Sequence, residues 1–184
     1  MTEDVKPLAL AAAELFIIAF IPVLVGGVMF SGRKQLGWAT AQSRRYLYWE
    51  RSFWIAGFVL LIAGFSVFAG LVQAEGENVL SRLALTGFLL GTVLIIVAEV
   101  YSLDTQGWLS YTVRLSVTLL LISQAVFGWA VLQIDLLPQW VGWATVIWNL
   151  ACLVLPLRAK DPYFPAIHFI LPLIAGVLLI SLTT

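Results

Sequence analysis

The sequence predicts an all-α integral membrane protein, a single domain (1–184) built as a bundle of six transmembrane helices. Hydrophobic residues make up 61% of the chain and charged residues only 11%, whereas a soluble domain usually carries about a quarter charged residues. Six apolar stretches each approach the roughly 20 residues that a helix needs to cross the hydrocarbon core. They lack the two-residue alternation of a membrane β-barrel. Backbone polar groups find no water in lipid, so each stretch must be helical.

The six predicted spans are joined by one long connection and several short ones. They cover 8–30, 53–73, 83–103, 113–133, 139–157 and 164–183. Glu14 and the acidic start MTEDVKP identify the first span as retained rather than as a cleaved signal. Pro138 is placed to start the fifth span, and Pro162 and Pro165 prevent a helix from continuing into the sixth. Short links make consecutive helices antiparallel neighbours, so we expect an up-down bundle.

The distribution of Lys and Arg predicts the orientation. Cytoplasmic connections of membrane proteins carry an excess of these residues. Only Lys6 and Arg82 lie on the side of the termini. The first, third and fifth connections hold the other eight, which are Arg33, Lys34, Arg44, Arg45, Arg51, Arg114, Arg158 and Lys160. The sequence therefore predicts a basic cytoplasmic loop over 31–52 and both termini on the outer side.

Several functional classes are disfavoured by what the sequence lacks. The net charge is zero, which gives no electrostatic case for nucleic acid as a partner. No phosphate loop, H-E-x-x-H or G-x-S-x-G motif occurs. The single histidine and scattered carboxylates are too few for a zinc or iron site, and we predict no cofactor. Cys152 lies in an apolar run and is interpreted as a small buried residue.

Ionisable side chains inside a span are expensive and are candidates for function. Glu99 and His168 fall at similar depth near the inner ends of the third and sixth spans, and such a pair could relay a proton. The alternative is structural, with Glu99 paired to Arg114 or Arg51 and His168 bonded to a backbone carbonyl. The candidates for a ligand or proton path are Glu14, Glu99, His168, Asn149, Gln124 and Trp148, and those for the cavity rim are Glu50, Arg51, Tyr101 and Arg114.

The tryptophans and the basic stretch have interfacial interpretations. Seven of the eight tryptophans, including Trp54, are expected toward the membrane surfaces, and Trp148 near mid-membrane beside Asn149. In the basic stretch, Arg44, Tyr48 and Arg51 would share one face of a helix that could lie on an anionic leaflet. The alternative is a topology anchor. The candidate lipid-headgroup ligands are Arg33, Lys34, Arg44 and Arg45.

One segment carries a resemblance to known sequences. The pattern LPQWVGWATVIWN (Leu137 to Asn149), entering a late helix after a tight turn, resembles uncharacterised small six-span bacterial membrane proteins. The resemblance covers only the last two helices and implies no activity. It favours a bacterial cytoplasmic (inner) membrane.

Three functional hypotheses follow. The first is a non-enzymatic membrane protein that binds an apolar or amphipathic ligand (lipid, quinone or pigment) or is a subunit of a larger membrane complex. The second is a small proton-coupled transporter using Glu14, Glu99 and His168. The third is a membrane enzyme with a Glu/His acid–base pair. The expected partners are membrane lipids, with other membrane subunits or a homo-oligomer as alternatives.

Overall fold

The computed structural model describes residues 5–34, 36–38, 43–105, 109–158 and 165–183. Over these ranges the chain forms α-helices and a 3₁₀ turn at Pro165–His168, without a strand, which confirms the all-α class. The six described helices are α1 (Lys6–Lys34), α2 (Arg44–Ala74), α3 (Val79–Thr105), α4 (Ser110–Leu132), α5 (Gln139–Arg158) and α6 (Ile170–Thr183).

Four of the described helices, α1 to α4, are long and apolar enough to cross a membrane. The fifth and sixth are apolar over shorter runs, Gln139–Val154 and Ile170–Thr183. The sixth predicted span (164–183) is longer than the α-helix that forms there. Its α-helix has only 14 residues, because the chain first makes the 3₁₀ turn that begins at Pro165.

Both predicted boundaries of the long basic loop (31–52) are wrong. Helix α1 continues to Lys34, and α2 already begins at Arg44. The hydroxyl of Ser43 accepts a hydrogen bond from the backbone N–H of Tyr46 at 3.2 Å. This N-cap satisfies a donor that the helix start would leave unpaired. The charged residues at the start of α2 are therefore helical.

A carboxylate also moves the start of α3 ahead of the predicted span (83–103). Glu77 accepts backbone hydrogen bonds from Val79, Leu80 and Ser81 at 2.8–3.0 Å. Desolvation raises the pKa of Glu77, but the hydrogen bonds that it accepts lower the pKa by more than desolvation raises it. The pKa therefore lies below its usual value. The ionised carboxylate thus caps the helix at Val79, four residues before Leu83.

Consecutive helices pack antiparallel, as the short links predict. A Cβ on Gly64 of α2 would lie only 2.7 Å from the ring of Phe16 on α1. Phe65 of α2 lies against Phe88 of α3, with ring centroids 4.3 Å apart. Helix α4 packs on α3, and α5 packs on α4. Helix α6 returns to pack on α1.

The packing leaves a seam between α5 and α6. These two helices make far fewer contacts with each other than any of the other neighbouring pairs. Behind the seam lies a cluster of phenylalanine rings contributed by α1, α2, α3 and α4. Its members, whose neighbouring centroids are 4.3–6.1 Å apart, are Phe16, Phe65, Phe68, Phe88 and Phe127. This rigid aromatic core forms the inner wall of the candidate site.

Candidate functional site

A buried ion network joins α1, α2 and α3 at the end of the bundle where α1 stops. Glu50 receives two hydrogen bonds from Arg33, of 2.8 and 2.7 Å. Arg51 donates from Nη1 to Oε2 of Glu99 at 2.7 Å, and its Nε lies 3.9 Å from Glu50 Oε1. Both carboxylates are completely buried. The two arginines and two glutamates neutralise one another, which makes the cluster tolerable inside a membrane protein.

This network changes the interpretation of several predicted residues. Arg33, predicted to bind lipid headgroups, is committed to Glu50. Glu50 and Arg51, predicted at a cavity rim, are buried in the ion network. Glu99 contacts Arg51, one of the two partners considered for a structural pair. Arg114, the other, is exposed.

The remaining predicted positions in this region are exposed or lie outside the described atoms. Tyr101 is 41% exposed on α3. Arg44 and Arg45 are exposed at the start of α2. The side chain of Lys34 lies outside the described residues. The predicted shared face of Arg44, Tyr48 and Arg51 does not form, because Arg51 turns inward to Glu99.

A second polar contact lies deeper in the bundle and joins α4 to the 3₁₀ turn that precedes α6. Nε2 of Gln124 lies 3.3 Å from Nδ1 of His168, and both side chains are buried. The predicted Glu99–His168 pair is therefore replaced by two contacts with different partners. Glu14 joins neither of them, since its side chain is exposed on α1.

The Gln124–His168 contact leaves hydrogen-bonding capacity unused. Within the part of the chain that the structure describes, Oε1 of Gln124 and Nε2 of His168 are both buried without a partner. If the amide donates to a neutral imidazole, Nε2 of His168 carries the proton and is an unused donor. If the amide is turned and the imidazole donates, Nε2 becomes an unused acceptor and the amide nitrogen takes the free position. Either arrangement leaves unpaired groups in an apolar interior, where such groups are rare.

Asn149 and Trp148 of α5 complete the set of predicted candidates. Asn149 is fully buried, donates to the carbonyl of Thr145 at 2.8 Å and leaves its Oδ1 unpartnered. Trp148 is 38% exposed and donates to the carbonyl of Ile167 at 3.4 Å. Trp148, a predicted candidate for the ligand path, is thus partly exposed. The fully buried tryptophan is Trp54, whose indole N–H has no partner among the described residues.

A small cavity of about 30 Å³ lies between α4, α5 and α6, against the phenylalanine cluster. Its only polar linings among the described residues are Gln124 and Thr145, and the Thr145 hydroxyl already donates to the Val141 carbonyl. Gln124 therefore offers the unused polar group. Apolar linings include Phe65, Phe68, Phe127, Leu171, Pro172 and Ala175.

Most of this cavity was not predicted from the sequence. Gln124 was a predicted candidate, but the aromatic wall and the part of α6 that includes Pro172 and Ala175 were not. Phenylalanines in apolar spans have no distinguishing local pattern. Pro172 within the last span was the available signal, because proline in a membrane helix often accompanies an irregular site.

The fold and the site define a helical protein with membrane-compatible helices, a buried ion network and an apolar cavity. No protein-family model matches the sequence, and no curated protein or solved structure matches it either. Among the described residues, no group of three or more His, Cys, Asp or Glu side chains could hold a metal ion. The function is therefore argued from the cavity.

Proposed function

We propose that this protein is an integral membrane protein that binds one apolar or amphipathic molecule at the seam between α5 and α6. The observation that carries the proposal is the cavity behind this seam, where a buried amide has an unused hydrogen-bonding atom in apolar surroundings. A buried polar group without a partner is costly. A ligand with one polar group on an apolar body would satisfy it.

The size of the cavity indicates how such a ligand would bind. A water molecule needs about 10–15 Å³ of this kind of volume, so the cavity has room for about two waters. A larger molecule must separate α5 from α6. These helices are the least tightly packed neighbours, and Trp148 of α5 donates a long hydrogen bond of 3.4 Å to Ile167 in the 3₁₀ turn that precedes α6. Lipid, quinone and pigment molecules all have the required chemistry.

Filling the cavity tests the proposal. Ala175→Leu places a larger side chain in the cavity, whereas Ala56→Leu makes the same change at an exposed position of α2. We expect native mass spectrometry from mild detergent to show a retained small molecule on the wild-type chain and on Ala56→Leu. Ala175→Leu should lose it while keeping the wild-type elution volume on gel filtration. Equal retention by all three proteins, or none by the wild type, would contradict the proposal.

We also propose that all six helices cross a bacterial cytoplasmic membrane, with both termini outside and the whole chain forming one domain. Helix α5 has 20 residues, which at 1.5 Å each gives about 30 Å, the thickness of the hydrocarbon core. The 3₁₀ turn and α6 together supply the remaining crossing. The excess of Lys and Arg on the proposed cytoplasmic side supports the orientation.

Reporter fusions test this topology. Alkaline phosphatase fused after Thr184 should be active and a fluorescent protein there dark, because the C-terminus is proposed to lie outside. Fusions after Lys160 should give the reverse pattern. This second site is the discriminating one, because an α5–α6 hairpin that does not cross would leave both positions outside. Active phosphatase at both sites would reduce the number of spans to four.

The other functional hypotheses have weaker support. A transporter would bring Glu14, Glu99 and His168 into a shared path, yet Glu14 is exposed on α1. An acid–base enzyme would pair Glu99 with His168, yet these two have separate partners. A role as a subunit is favoured by the exposed apolar face of α5, which includes Trp140, Trp143 and Ile147. The same mass spectra would reveal it as an additional protein chain or a second copy.

A further inference from the structure

A second cleft, separate from the cavity, lies between the first turns of α2 and the last turns of α3. Its volume is about 340 Å³. The side chains that line it change in character along the helices. Arg44, Tyr48, Ser52 and Asp104 are polar, and Ile55 and Val100 are apolar.

The cleft carries one positive and one negative charge that do not neutralise each other. Arg44 and Asp104 are both exposed, and no ion pair joins them in the part of the chain that the structure describes. Arg44 reaches across to α3 and donates to the carbonyl of Leu103 at 3.5 Å. Among the described residues, the Arg44 guanidinium makes no other hydrogen bond. In contrast, Arg33 is paired with Glu50 in the ion network.

The order of polar and apolar linings follows the profile of a phospholipid in one leaflet. The two charged residues lie near the helix ends, and Ile55 lies eleven residues after Arg44, or about 16 Å deeper along α2. On α3 the apolar linings Leu103 and Val100 precede Asp104 by one and four residues, so Val100 lies about 6 Å deeper. Tyr48 and Trp49 are half exposed beside the mouth of the cleft. Such aromatic side chains are enriched at headgroup level in membrane proteins.

We propose that this cleft binds a zwitterionic phospholipid whose headgroup carries both a phosphate and a primary ammonium. The phosphate accepts hydrogen bonds from the Arg44 guanidinium and the Tyr48 hydroxyl. The ammonium donates to the Asp104 carboxylate, and an acyl chain lies along Ile55 and Val100. An anionic headgroup without an amine meets the repulsion of Asp104. A choline headgroup has no N–H to donate.

The test uses the full-length protein in mild detergent with added synthetic lipids of identical acyl chains. Phosphatidylethanolamine, phosphatidylcholine and phosphatidylglycerol are added in equal amounts, and native mass spectrometry measures how much of each remains bound. We expect phosphatidylethanolamine to exceed each of the others by about tenfold, the ratio that one lost charge-assisted hydrogen bond gives. This comparison needs no variant.

Variants then locate the site. Arg44→Gln and Asp104→Asn should each reduce bound phosphatidylethanolamine by about tenfold. Arg45→Gln, an exposed neighbour that does not line the cleft, and Asp135→Asn, an exposed acid in the α4–α5 turn, should leave it unchanged. Gel filtration confirms that each variant folds.

Three results would overturn the proposal. Phosphatidylglycerol that binds as well as phosphatidylethanolamine would indicate attraction to basic charge alone. Phosphatidylcholine that binds as well as phosphatidylethanolamine would show that Asp104 does not accept a hydrogen bond from the headgroup. If Arg45→Gln reduced bound phosphatidylethanolamine as much as Arg44→Gln does, the cleft would be excluded as the binding site. None of these results depends on whether the cavity at the α5–α6 seam holds a ligand.

Discussion

Replacing Arg51 by methionine should lower the free energy of unfolding by about 3–5 kcal/mol, because it leaves a buried carboxylate without a counter-charge. Glu99 is completely buried, and Arg51 Nη1 is its hydrogen-bonding partner at 2.7 Å. Glu50 retains its two bonds from Arg33, so the loss is concentrated on Glu99. Unfolding in mixed micelles with increasing denaturing detergent, followed by tryptophan fluorescence, measures this change.

A double-mutant cycle separates the pair from the rest of the network. Arg51→Met combined with Glu99→Leu removes both charges, and buried ion pairs replaced by apolar side chains are often neutral for stability. We therefore expect the double variant to recover most of the lost free energy. Arg114→Met, at an exposed position on α4, should change stability by less than about 0.5 kcal/mol. If the loss of free energy in the double variant equalled the sum of the losses in Arg51→Met and Glu99→Leu, Arg51 and Glu99 would not be coupled.

The second large effect is expected at the contact of α4 with α5. A Cβ on Gly128 would lie 2.8 Å from Thr145 Cβ and 2.9 Å from the backbone oxygen of Gly142. A backbone oxygen within a helix cannot move aside alone, so Gly128→Val must push the two helices apart. Overpacking of this kind costs about 1–3 kcal/mol, and the involvement of backbone suggests about 3 kcal/mol here. The same detergent unfolding measurement applies.

Gly70 provides the matched control. Like Gly128, it lies four residues before the last residue of its helix, so Gly70→Val has a similar effect on helix propensity. A Cβ on Gly70 meets nothing within 4 Å. We expect Gly70→Val to remain near wild-type stability. Equal losses from the two changes would mean that the valine acts through helix propensity rather than through the α4–α5 contact.

The helices could be predicted from composition, but their ends could not. The apolar runs locate all six helices in the sequence. The actual starts of α2 and α3 depend on caps by Ser43 and Glu77, which shift the boundary into polar residues. At the start of α2, charged residues were interpreted as a loop. They are helical because Glu50 and Arg51 find partners on α1 and α3.

The polar residues near the candidate site were predicted, but their pairings were not. Gln124, Asn149 and His168 are conspicuous because polar residues are rare in apolar spans. Their contacts depend on tertiary packing, as with Gln124 and His168, which are 44 residues apart in sequence. The burial of Trp54 could not be predicted, because it depends on packing against α1, where a Cβ on Gly26 would lie 3.2 Å from the indole ring.

The sparse contact between α5 and α6 has a consequence for selectivity. A molecule that reaches the proposed cavity through this seam comes sideways from the bilayer, where apolar compounds are already concentrated. Hydrocarbon tails offer such a molecule much the same apolar contact as Phe127 or Leu171 do, so burial alone gives little preference for the protein. Discrimination then depends on the one interaction that lipid tails cannot provide, the hydrogen bond to Gln124. A modest intrinsic affinity would be enough for full occupancy, and a change of one polar atom in the ligand would decide whether it stays.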